Sequence, residues 1–204
     1  MRIMVGSLVV TLALLGGMTV HTQQAKPAAP PTTSLVMDMQ LKVMESQIVP
    51  AAEAMPADKY SFAPTSGEFK GMRTFALEVR HVAAVNFALF SAILDQAPPP
   101  GVVLAGATNG PDDLQTKEQI VKYLKDSFEL GHKALATITE QNAVRPMDHP
   151  PLPLPYFNTR LALASFSCTH ASDHYGQIVV YLRMNGIVPP ASNGQPPANP
   201  GSSR

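Results

Sequence analysis

The chain has 204 residues, 45% of them hydrophobic and only 15% charged, which is enough apolar material for one globular core and too little charge for a disordered acidic or basic chain. Fifteen basic and fifteen acidic residues cancel, so no sequence-wide field attracts phosphates and nucleic acid is excluded as an expected partner. A single cysteine, Cys168, rules out an internal disulfide framework and a thiolate-rich zinc cluster, so any metal would be held by histidines and carboxylates.

In chain order, residues 1–25 read as a signal peptide: Arg2 is a minimal positive n-region, an apolar run extends from Ile3 to about Val20, and polar and small residues follow. The expectation is export to the periplasm or the medium. A membrane anchor is the alternative, but the run is short for a span and has no basic flank, so no stable insertion is expected after cleavage. Residues 26–33, KPAAPPTT, form a proline-rich tether that cannot propagate a helix, and 34–188 form the folded domain. The Pro/Gly/Ser-rich residues 189–204 read as a disordered tail.

Four helical segments fill the domain. The first spans about Ser34 to Ala54, with Leu35, Met39, Lys42, Val43, Ser46 and Val49 on one face and Pro50 expected to end or kink it. The second spans about Met72 to Leu94, with Phe75, Val79, Val82, Phe87, Phe90 and Leu94 at helical spacing. The third opens at Thr116, which caps while Gln119 reaches back, and carries Ile120, Leu124, Phe128, Leu135 and Ile138. The fourth spans about Phe157 to Asn185 and stops at Gly186, with Pro189 beyond. Four amphipathic helices bury one another's apolar stripes as a bundle, so the fold class is all-α, a four-helix bundle. A homodimer is compatible with this pattern.

His170 and His174 stand one turn apart on one face of the fourth helix, a spacing that suits two ligands of one ion. Chance produces such pairs readily, so a third ligand is needed. His21 lies in the export signal and His149 in a proline-rich loop. His132, beside Lys133 and Glu129, reads as a flank residue before a ligand. His81 lies on an apolar face with Ala84 and Ala88 beside it, and by itself reads equally as a core histidine bonded to a backbone or hydroxyl group and as the third ligand.

Three stretches carry a resemblance: MPADKYSFAPTSG at 55–67, EVRHVAAVN at 78–86 and HASDHYGQIVVYLRMNGIVPPAS at 170–192. In order and spacing they resemble the DinB/YfiT-like family of four-helix bundles, over about residues 35–192. The resemblance implies a ligand role for His81, His170 and His174. A three-histidine set without a fourth protein ligand suits an open, catalytic site, with zinc the first expectation and nickel the second. Behind the ligands, Gln177 would orient an imidazole or a water, and Tyr181 shares the face of His170. Asp173 reads first as a solvated edge residue, otherwise as an acceptor for a ligand's ring N–H; Glu78, one turn before His81, reads as an exposed edge residue, otherwise as a general base. Cys168 points away from this face as a small core residue.

The implied activity is that of a metal-dependent hydrolase or transferase acting on a small molecule, and the alternative is a non-catalytic metal-binding or stress-response module. Some relatives in this family use low-molecular-weight cytoplasmic thiols. The export signal departs from that and tilts the expectation toward hydrolysis.

Overall fold

The structure is a computed structural model that describes residues 30–104, 108–152 and 154–193. The export signal and most of the tether lie outside the described residues, as does the tail beyond 193. Four helices account for the fold: α1 (Thr33–Ala54), α2 (Phe75–Ile93), α3 (Lys117–Leu135) and α4 (Arg160–Met184). Among the described residues there is no strand, only an isolated bridge between Pro146 and Thr159.

Each helix starts on a threonine whose hydroxyl accepts a first-turn N–H: Thr32 from Leu35, Thr74 from Leu77, Thr116 from Gln119 and Thr159 from Ala162. The expected capping box at Thr116 is present, with the Gln119 side chain returning to the Thr116 N–H at 3.0 Å. Thr74 and Thr159 also explain why α2 and α4 begin three residues later than periodicity suggested. At the far end of α4, Gly186 adopts φ +73°, and the N–H groups of Gly186 and Ile187 close back on the carbonyls of Arg183 and Leu182, each at 3.0 Å. This is the left-handed terminator for which glycine is suited.

Three expectations are corrected. Pro50 does not end α1; the helix runs through it to Ala54 because Ile48, Ala51, Ala52 and Met55 beside it are fully buried, and packing outweighs the lost hydrogen bond. The buried face of α1 is also different: Met37, Leu41, Ile48 and Val49 face the core, while Leu35, Met39 and Val43 are exposed. The tail does not become irregular at 189 either. Pro189 is buried and Pro190–Ser192 forms a 3₁₀ turn packed against α1.

Around the bundle the order is α1, α3, α2, α4: α2 packs on α3 and α4, and α1 packs on the same two. The chain therefore crosses the bundle diagonally from α1 to α2 and again from α3 to α4, through the long connections 55–74 and 136–159. α2 is the innermost helix. Its mean hydropathy of 1.3 over a membrane-length span reflects core burial, since 83% of that span is buried. Where α3 crosses α1 and α2, Gly131 lets the backbones approach: a Cβ there would meet Phe90 at 2.6 Å and Leu41 at 2.7 Å, both fully buried.

Gly131→Val is accordingly expected to destabilise the domain by about 2 kcal/mol through overpacking, where ordinary helix propensity would have it improve on glycine. Urea unfolding followed by circular dichroism checks the sign; an unchanged or raised midpoint would contradict the close packing.

Candidate metal centre

α2 carries polar residues into the core, and each needs a partner there. Glu78, Arg80, His81, Asn86 and Ser91 are all buried. Asn86 donates to Ser127 of α3 at 3.2 Å. Arg80 reaches the α2–α3 connection, donating to the carbonyls of Gly110 and Pro111 and pairing with Asp112 at 3.0 Å. Glu78 and His81 turn toward α4.

There they meet His170 and His174. The three imidazoles form a group in which one nitrogen from each lies within 4.8 Å of the others, and His81 and His170 approach to 3.1 Å between their Nε2 atoms. Ring centroids are separated by 5.0, 4.6 and 4.3 Å. With metal–nitrogen bonds of about 2.0–2.1 Å, two imidazole ligands of one tetrahedral ion sit just over ~3 Å apart, so this spacing fits a single ion. The group could hold a metal ion.

The hydrogen bonds behind the rings determine which nitrogens face the centre. His81 donates its Nδ1–H to the carbonyl oxygen of Thr108, and His174 donates its Nδ1–H to Glu78 Oε1. Both residues thus turn an Nε2 lone pair inward. His170 differs: its Nδ1 is buried without a hydrogen-bond partner among the described residues. Burial is also the largest influence on titration. It holds His81 below the usual imidazole range, helped by the charges of Arg73 and His174 and opposed by the Thr108 carbonyl and Glu78. It drives His170 down to about 3, with His174, His81 and Arg73 adding to the effect. Both rings are neutral near pH 7, the form that binds metal.

The other residues singled out from the sequence divide. Glu78 is 1% exposed and hydrogen-bonded to His174, so the edge reading of it is wrong; the sequence signal was its position one turn before His81 on a helix that proves buried all round. Asp173 is exposed and touches only the Gln177 amide, at 3.4 Å, as its edge reading expects. Gln177 also lies 3.4 Å from His174 Nδ1. Tyr181 is buried but does not reach the rings: its hydroxyl donates to the Arg73 carbonyl at 2.9 Å. Cys168 is buried, and burial pushes its thiol up. His132 sits on the flank, donating to Asp38 at 2.5 Å and to Glu45 at 3.0 Å. Sequence reasoning missed Thr108 and Arg73, which lie in connections whose path no helical periodicity reveals.

Two cavities border α2. One of about 290 Å³ is lined by Arg73, Leu77, Glu78, Asn109 and Gln177; the three histidines do not line it, and it adjoins the centre through Glu78 and Gln177, which both contact His174. The larger, about 430 Å³ and mostly apolar, lies further along at Ala88, Ala92, Val102 and Leu104 and is lined neither by the three histidines nor by the residues that hold them. The smaller one is the cleft that belongs to the site, because Glu78 lines it while holding His174.

A conserved protein from Enterococcus faecalis has a similar solved structure, with a TM-score of 0.60 and 15% identity, covering 76% of this chain and 98% of its own. That likeness supports the helical-bundle fold. Among curated proteins, none matches the chain. The family model of the DinB superfamily matches residues 40–178, a span that takes in α2 and α3, most of α1 and α4 and all three histidines, and the chain belongs to the DinB superfamily.

Proposed function

We propose that this protein binds one divalent metal ion, zinc before nickel, through His81, His170 and His174, and works as a metal-dependent hydrolase or transferase on a small molecule. One observation carries the reading: two rings from one helix and one from its neighbour converge, with the Nδ1 atoms of His81 and His174 tied back to acceptors so that their free nitrogens share a centre. An ion held by three imidazoles keeps a position open for substrate or water and supplies Lewis acidity there.

The chain's own groups have separable parts in this reading. Thr108 and Glu78 fix ring tautomers. Glu78 commits one oxygen to His174 and has Arg73 Nη1 3.9 Å from the other, which makes it a positioning residue before a proton acceptor. Gln177, half-buried at the cleft, is placed to hydrogen-bond a ligand's polar atom. The reading includes export with removal of residues 1–25, and a periplasmic or secreted site of action, on the strength of the N-terminal apolar run. A non-catalytic metal-binding module is the second reading. An activity screen of the purified protein with and without chelator separates the two, since chelator-sensitive turnover belongs to the enzyme alone.

Three outcomes are expected. His170→Ala and His174→Ala abolish stoichiometric metal binding by elemental analysis while His132→Ala and His149→Ala keep it. In thermal melts, zinc at a hundredfold excess over its Kd stabilises the wild type by about 2.7 kcal/mol, and His81→Ala loses most of that gain. Full metal content in both α4 variants would end the assignment.

Glu78→Gln, which keeps the shape but weakens the acceptor for His174, is expected to lower zinc affinity about 10- to 100-fold. Competition against a chromogenic chelator measures it. Unchanged affinity would mean that the Glu78 contact does not position the ligand.

The metal-free domain should lose stability on acidification. His170 is depressed in the folded state, so the unfolded chain binds the extra proton; its stabilising contribution is present above the ordinary histidine pKa of about 6.5 and disappears as pH falls from there toward about 3. His132 acts in the opposite sense: burial lowers it, but its bonds to Glu45 and Asp38 and their charges outweigh burial and raise it, so its contribution is lost as pH rises through its folded value. Tm measured in chelator between pH 7.5 and 4.5 should fall less for His170→Gln than for wild type. Parallel curves would contradict the buried neutral ring.

A further inference from the structure

The cleft that Glu78 and Gln177 share with the surroundings of His174 has one cation in its wall, Arg73. Arg73 immediately precedes the Thr74 cap of α2, and its side chain is 26% exposed against the fully sequestered Glu78. Its position is constrained from two sides: the backbone carbonyl accepts from Tyr181 at 2.9 Å, and Nε donates to Asn109 at 2.8 Å. The rest of the guanidinium makes no hydrogen bond among the described residues; its nearest anionic neighbour, Glu78 Oε2, stands 3.9 Å from Nη1, beyond hydrogen-bond reach. Arginine carries five N–H donors in a planar fork, so four of them remain for a ligand. The N-terminus of α2 offers nothing comparable, because its first N–H groups are taken by Phe62, Tyr60 and Thr74.

We propose that Arg73 is the substrate-anchoring residue of this site, holding the carboxylate of a small organic acid in the cleft while the acid's reacting group lies toward the three-histidine centre; the inference rests on the metal-site reading for its second half only. Four features select this class. The fork geometry fits a planar carboxylate in bidentate fashion. Glu78 beside it disfavours a doubly charged phosphate. Leu77 supplies an apolar wall for a short hydrocarbon chain. At about 290 Å³ the cleft is at the small end of ligand sites and matches a short-chain acid in size. Gln177, which also lines the cleft, offers an amide to a second polar atom of the same molecule.

The test uses butyrate as probe, butyramide as its uncharged twin and inorganic phosphate as the dianion, titrated calorimetrically into purified protein in metal-free and zinc-loaded forms. Zinc content is measured on the same samples. Butyrate is expected to bind both forms of the wild type. Arg73→Met should weaken it by roughly tenfold to a hundredfold, the scale of a charge-assisted hydrogen-bond pair, and Arg73→Lys should fall between. Butyramide should bind no better to wild type than butyrate does to Arg73→Met. Circular dichroism establishes that the variants are folded, and Arg73→Lys carries the test if Arg73→Met is not. Absence of butyrate binding, equal binding in folded variants, or equal binding of butyramide would overturn the proposal, and tighter binding of phosphate would overturn the carboxylate class. Loss of zinc with Arg73-dependent butyrate binding intact would sink the metal reading alone; full zinc content without Arg73 dependence would sink this one alone.

Discussion

The structure depends on the burial of α2. A helix enclosed by α3, α4 and the connections around it has no solvent face on which to discard polar groups, so most of the hydrogen-bonding groups that it carries are answered from a neighbour. Those answers organise the molecule. Asn86 is met by Ser127, which ties α2 to α3; Arg80 collects the carbonyls of the 108–112 connection; His81 takes the Thr108 carbonyl from the same connection. Glu78 takes His174, which ties α2 to α4. Without these partners each group would be a buried polar orphan costing about 1–3 kcal/mol, so the same contacts that shape the site also hold the domain together.

The three-histidine centre is a product of that constraint applied twice. His81 and His174 are both fixed by acceptors outside the ring cluster, and burial keeps His81 and His170 unprotonated. Unprotonated rings at His81 and His170 leave nitrogen lone pairs free for a divalent cation, which binds histidine only in that form. His132 shows the opposite design on the bundle's flank: partly exposed and gripped by two carboxylates of α1, it is stabilised as a cation and serves to clamp α3 to α1. One residue type thus has two electrostatic fates in one bundle, and burial against carboxylate contact decides which.

The connection between α2 and α3 has a role beyond linkage. It runs back along α2, supplies Thr108 to His81 and Asn109 to Arg73, and is secured by Arg80 through Gly110, Pro111 and Asp112. The cleft is therefore walled on one side by helices and on the other by a loop pinned to the most buried helix. Rigid placement of this kind is what a site needs if small displacements are not to weaken binding.

Much of this was legible in the sequence. Apolar periodicity, the Thr116 capping box and the Gly186 stop establish four helices and their order, because local hydrogen bonding and side-chain spacing act within a few residues. The i, i+4 pair His170 and His174 has to share a face for the same reason. The partner of that pair is not a local property: His81 reads equally as a core histidine until α2 and α4 are packed side by side. Glu78 reads as an edge residue because a helix has an edge only when one face meets water, and whether it does is decided by how many neighbours enclose it. The buried face of α1 was misread on the same ground, since its apolar residues cover more than one stripe and the diagonal crossing chooses among them. Thr108 and Asn109 lie in an irregular segment with no period to read, and Arg73, which periodicity put inside the second helix, stands just before its cap; their contacts come from the path of the chain through space. The sequence by itself determined the four helices, the Thr116 cap and the paired histidines; only the tertiary structure decided which polar groups are buried, and therefore which of them must become partners in a site.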